Sequence, residues 1–176
     1  MADLAALEAR LAALETRVRV LDDHEAITQL LASYGPSVDS GSAEATAALW
    51  VEDGVFDVVG SSETVGNFTM RGRGDIMGMV NGDGHQSLIT NGCGHVLTAP
   101  RIRVDGDTAT AWNYAFNVRW DEPTERFWVA RLSANEWKCA RGADGWRVVH
   151  RTNVNLDGGE TARALLRRST GEDQGA

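Results

Sequence analysis

The second half of this chain is written in strand alternation. Between Thr108 and Trp120, Trp112, Tyr114, Phe116, Val118 and Trp120 point one way, and Asn113, Ala115, Asn117 and Arg119 point the other. A tight turn at Asp105-Gly106 precedes this strand, and another from Asp121 to Thr124 follows it. Glu125–Cys139 and Trp146–Val154 read as two further strands joined by a turn at Gly142–Gly145, and Gly94–Val104 reads as an earlier one interrupted near Pro100. Such strands make a largely antiparallel sheet. Helical patterns precede it, so the class is α+β. A curved sheet closed against those helices would bury one face and leave a concave pocket.

The helices come first. Leu4, Leu7, Leu11, Leu14, Val18 and Leu21 repeat at heptad spacing and form one apolar seam. The seam is too short for a stable isolated coiled coil. It suits either packing on its own domain or contact with a neighbouring subunit. Asp22 followed by Glu25 resembles a capping box that restarts a helix through Ile27, Leu30, Leu31 and Tyr34. Gly35-Pro36 is expected to end that helix, and a second short helix covers Ala43–Trp50. Val55–Val59 and Thr64–Met70 read as short strands. A short helix follows Gly72-Arg73-Gly74-Asp75, and Asn81–Gly92 reads as a loop bordering a cavity. These boundaries give a helical extension over residues 1–21, a domain over 22–156 and a peripheral tail over 157–176.

With 176 residues, a single domain with extensions is expected. A net charge of −8 argues against nonspecific nucleic-acid binding. Cys93 and Cys139 have no metal-ligand spacing. No stretch approaches the ~20 apolar residues that span a bilayer, and a cytoplasmic protein is the default. There is no phosphate-binding glycine loop and no GxSxG nucleophile motif. The four histidines are dispersed, so neither metal nor cofactor is expected.

His95 is the best candidate base, because neutral imidazole is available near neutral pH. Asp39 could orient it and stabilise its charged form. Both have structural alternatives: a satisfied strand histidine, and a turn aspartate ahead of Ser40-Gly41. The parity of His95 matches Leu97 but opposes Ile102 and Val104. A bulge near Ala99-Pro100 would reconcile the two sets. Tyr34 could hydrogen-bond a substrate oxygen, and Arg151 could stabilise negative charge. His150 has the opposite strand parity to Arg151 and is the second choice. Trp50, Phe56, Trp112, Tyr114 and Trp128 are candidates for an apolar pocket wall.

The ordered segments HEAITQLLASYGPSVDSG, LWVEDGVFDV, GRGDIM, GHVLTAPRIRVDGDTATAW and GWRVVHRTNV resemble the SnoaL-like branch of the NTF2-like superfamily, over about Asp22–Val154. That resemblance implies a cone of helices on a strongly curved mixed sheet with a deep apolar pocket. The catalytic pattern looks most like the dehydrochlorinase, scytalone dehydratase and bile-acid dehydratase group. By position it implies Asp39 as orienting acid, His95 as base, and Tyr34 and Arg151 as their partners. No obvious match exists for the second active-site histidine of scytalone dehydratase. The resemblance implies cofactor-independent elimination from a small or polycyclic apolar substrate, in a homodimer or homotrimer. A ketosteroid-isomerase-like or polyketide-cyclase-like enzyme, or a noncatalytic binding or assembly domain, are the alternatives.

Overall fold

The computed structural model describes residues 3–60 and 66–171. Helix α1 runs unbroken from Leu4 to Ala32. The expected restart at Asp22 does not occur, because no glycine or proline interrupts the i→i−4 ladder before Gly35. Asp23 is instead a buried anchor. Its carboxylate takes a bidentate pair from Arg141 at 2.6 and 2.7 Å and the Trp146 indole N–H at 3.2 Å. Only the last third of α1, through Ile27 and Leu31, enters the core.

Pro36 cannot donate to the carbonyl of Ala32, and α1 stops there. The chain turns at Ser33 into α2 (Tyr34–Asp39), so Gly35-Pro36 lies inside a second helix rather than after the last one. Helix α3 (Ala43–Ala47) leads into β1 (Trp50–Val59). Strand β2 (Phe68–Arg71) is the later part of the strand expected over Thr64–Met70, whose beginning lies outside the described residues. Helix α4 (Gly72–Asn81) follows, and then α5 (Asp83–Thr90), where a loop was expected.

The rest of the sheet is β3 (Cys93–Leu97), β4 (Arg101–Asp105), β5 (Thr108–Asp121), β6 (Arg126–Gly142) and β7 (Gly145–Asn155). The strand order is β2-β1-β7-β6-β5-β3, with β4 also on β5. The β1–β7 pair is parallel and the others are antiparallel, so the sheet is mixed. Leu97 pairs with Ala115 and Arg101 with Trp112, so four steps on one side oppose three on the other. This extra residue in the Thr98–Pro100 break brings Ile102 and Val104 onto the face of His95 and Leu97.

The expected strongly curved, closed cone is corrected: the sheet is open. Its path ends at four-residue β2 on one side and at five-residue β3 on the other, and no pairing joins these edges among the described residues. Helices α2, α4 and α5 complete the enclosure that sheet closure would have provided, contributing Tyr34, Met79, His85 and Leu88 to the cavity wall. Residues after Asp157 form α6 (Glu160–Thr170). Its Ala162 and Leu165 bury against Trp112, Ala134 and Val154 in a second, smaller apolar cluster.

Candidate active site

The site begins with a glycine. A Cβ on Gly35 would lie 2.5 Å from the backbone oxygen of His95, so only glycine lets α2 approach β3 this closely. That approach brings the C-terminal end of α2 to the strand. Asp39 Oδ2 accepts the His95 backbone N–H at 2.8 Å, and Oδ1 meets ring Nδ1 at 2.5 Å. The other ring nitrogen, Nε2, is 3.1 Å from the Asn117 side-chain nitrogen. An amide nitrogen donates, so this contact assigns Nε2 as acceptor and Nδ1 as the protonated nitrogen facing Asp39.

His95 borders a cavity of about 510 Å³. Phe68, Met70, Met79, Leu88 and Leu97 supply apolar wall, and the sheet supplies a polar floor. There the Asn153 amide nitrogen donates to Ser133 at 2.7 Å and to Asn135 at 2.8 Å. His85, on α5, is buried, lines the same cavity, and has its ring centroid 5.6 Å from that of His95. Its Nε2 bonds the carbonyl of Val38 at 2.9 Å, so that nitrogen is the donor and Nδ1 keeps its lone pair.

Arg151 is 2% exposed and lines the cavity without a carboxylate partner among the described residues. Its guanidinium carbon sits 4.2 Å from the Tyr34 ring centroid, 4.3 Å from Phe56 and 4.1 Å from Trp137. Nε donates to Asn135 at 3.1 Å, while Nη1 has no hydrogen-bond partner. Burial lowers the guanidinium pKa from its ordinary value, and proximity to Tyr34 partly offsets that. It still remains a cation, because arginine starts so far above neutral pH. The aromatic faces supply the compensating cation–π attraction.

Asp39, Cys93 and His95 each offer an atom within 4.8 Å of the others, which is a possible metal arrangement. Occupying it would require breaking the Asp39–His95 bond. It would also require ionising Cys93, whose thiol pKa is raised by burial and by the neighbouring Asp39 charge.

A model of the SnoaL-like domain matches residues 19–152. The chain belongs to the SnoaL-like domain family. An NTF2-like protein with a cystatin-like fold from Novosphingobium aromaticivorans is 43% identical, with 94% of this chain and 98% of that one covered and a TM-score of 0.78. A protein of unknown function from Mycobacterium tuberculosis shares the fold at 19% identity, with 90% of each chain covered and a TM-score of 0.66. Aln2 from a Streptomyces species shares it at 16% identity, with 78% of this chain and 92% of that one covered and a TM-score of 0.64. No curated protein matches.

This SnoaL-like domain brings His95, Tyr34 and Arg151 to one cavity, with Asp39 bonded to the His95 ring. His150 lies elsewhere, its ring bonded to Asp57 at 2.7 Å. Of the apolar residues proposed from sequence, Phe56 and Trp128 line the cavity. Trp50 is fully buried in the main core. Trp112 packs in the α6 cluster and donates to Glu136 at 2.9 Å, and Tyr114 is exposed. None of these three lines the cavity: Trp112 and Tyr114 have the β5 parity opposite to Ala115 and Asn117, and Trp50 packs in the core at the start of β1. His85, Asn117, Arg119 and Arg131 line the site and were not singled out from sequence.

Proposed function

We propose that this SnoaL-like domain is a cofactor-independent lyase. It would eliminate water or halide from an apolar small or polycyclic substrate. The observation that supports this reading best is the Asp39–His95 contact at 2.5 Å, on a histidine whose second nitrogen is a lone-pair acceptor bordering a largely apolar cavity. His95 Nε2 takes a proton from carbon beside a carbonyl or similar activating group. Asp39 accepts the Nδ1–H bond throughout and stabilises the imidazolium that forms. The electrons left on carbon expel the β-substituent. Negative charge building on the activating oxygen is met by Arg151 and the Tyr34 hydroxyl, which need little reorganisation because both are already packed in place.

Asn117 must release Nε2 before the proton can move. Its own Oδ1 is buried without a partner, so a rotated amide could then accept from the charged ring. His85 is near enough to His95 to serve the leaving group. The test is turnover with product mass. Loss of water or hydrogen halide, abolished in a folded His95→Ala variant, supports elimination. A product of unchanged mass moves the assignment to isomerisation, which shares the first proton abstraction. Full turnover by His95→Ala rejects the base. We also propose that the domain acts as a homodimer or homotrimer.

A further inference from the structure

The net-acidic chain puts positive charge into its cavity. Arg119, Arg131 and Arg151 line it, and among the described residues no aspartate or glutamate does. Three of their nitrogens, Arg119 Nε, Arg131 Nε and Arg151 Nη1, are buried with no hydrogen-bond partner. Arg131 anchors one arm on the carbonyl of Val59 at 3.2 Å, leaving its Nε unused. Burial lowers the Arg131 pKa, and the charge on Arg151 lowers it further, so the two cations repel across the cavity. Guanidinium groups do not escape such stress by deprotonating. Cations buried in whole or in part, with no ion pair among the described residues, are costly, and an anion entering the cavity would relieve that cost.

Their placement is specific. His95 pairs with Asn117 across β3–β5, and Asn117 pairs with Arg131 across β5–β6. These three therefore form one row over three strands. Arg119 is two residues beyond Asn117, past a register shift in the β5–β6 ladder, and pairs with Trp128. Both side chains line the same cavity, where two guanidinium groups can receive one carboxylate. Arg151 is deeper, inside its aromatic cage, and remains available for charge that develops during reaction. Phe68, Leu88 and Trp128 offer apolar surface for the remainder of a ligand.

We propose that the ligand of this cavity is an apolar ring-bearing acid, with its carboxylate received by Arg131 and Arg119 and its reacting carbon toward His95. The statement that this acid is a substrate rests on the elimination reading. The anion preference itself is a binding property and is tested separately.

The experiment is calorimetric titration of the full chain with 2-naphthoate and with its neutral isostere 2-naphthamide, using acetate as a small-anion control. The acid is expected to bind at least about tenfold tighter than the amide, a gap of ~1.4 kcal/mol. Acetate is expected to bind far more weakly than either. The gap narrows in Arg131→Gln and in Arg119→Gln, with circular dichroism verifying the fold. Equal affinity for acid and amide, binding of neither, acetate binding as tightly as 2-naphthoate, or a gap that survives both substitutions overturns the proposal. The wild-type comparison decides even if a variant fails to fold. A His95→Ala variant keeps the acid preference. If it also keeps full turnover, the elimination reading falls while the anion site stands.

Discussion

Asp39 holds His95 at two points, accepting the backbone N–H of the strand on one carboxylate oxygen and meeting the ring Nδ1 on the other. The ring therefore inherits the rigidity of β3, and its tautomer is fixed by the same group that fixes its position. Asp39→Asn keeps one acceptor oxygen but replaces the other with an NH2 donor. One of the two contacts must then fail. Turnover is expected to fall by about 10²–10⁴-fold. Ligand affinity, measured separately by titration, should change only a few-fold. Unchanged turnover would remove the assigned role.

Gly35→Ala tests how the pair is assembled. Alanine is a better helix former than glycine by up to ~1 kcal/mol. Against that, its Cβ would sit 2.5 Å from a backbone oxygen of β3, which cannot rotate away as a side chain would. Overpacking of this kind costs ~1–3 kcal/mol, so the contact outweighs the propensity. A lower melting temperature is expected together with reduced turnover, since α2 carries Asp39 away from His95 as it yields. A raised melting temperature with full activity would show that α2 does not depend on this contact.

Sequence order already placed Asp39 after a helix and His95 in a strand, and the parity conflict around Pro100 already called for the extra residue now seen between β3 and β4. Other parts were hidden for physical reasons. Gly82 and Gly84 made the α5 segment read as a loop, and His85 was lost with it. Asn117, Arg119 and Arg131 occupy strand positions whose polar character suggests solvent. They face inward because α2 and α5 cover that side of the sheet and Asp39, His95 and Arg151 make its floor polar. Asp22-x-x-Glu25 resembles a cap, but α1 continues through it and the neighbouring Asp23 is committed to Arg141 and Trp146. A cone cannot be read from strand alternation, because closure depends on whether the two edge strands meet.

Cysteine alkylation reports the same electrostatics. Burial and the Asp39 charge raise the Cys93 thiol pKa, leaving little thiolate at neutral pH. Burial alone pushes Cys139 to about 12. Iodoacetamide followed by mass spectrometry should modify Cys93 slowly and Cys139 not at all in the folded protein. Asp39→Asn removes one of the causes and should speed Cys93 labelling. If labelling of Cys93 is as fast as that of a small thiol in solution, this description of its surroundings is wrong.

Asp23 gives a pH dependence of stability with a definite sign. Hydrogen bonds from Arg141 hold its carboxyl below the ordinary range, outweighing the burial that pushes it up, and Trp146 adds to the lowering. A depressed folded-state value favours folding above the unfolded pKa of ~3.9, and that contribution is lost as pH falls through the folded value. Asp23→Asn is expected to melt below the parent at neutral pH, with the two converging in acid. Parallel curves of melting temperature against pH would mean that Asp23 contributes through packing rather than charge.

The first part of α1 has no partner among the described residues that covers its seam. Leu4, Leu11 and Leu21 are 69%, 57% and 66% exposed, although their spacing is that of a helix–helix contact. A two-helix seam of this length is marginal alone, but it can add to a larger contact. Phe127 and Val129, which share one face of β6, are also exposed, at 67% and 52%. Contiguous exposed apolar surface of this kind marks association sites. Leu11→Glu with Leu14→Glu puts charge into the seam without touching the core, since neither residue is buried. Analytical ultracentrifugation should show a smaller or weaker oligomer than the parent, with circular dichroism unchanged. If the parent itself sediments as a monomer across the micromolar range, the proposed homodimer or homotrimer is wrong. If the double variant keeps the parent's mass and affinity, the β6 surface carries the contact and the α1 seam does not.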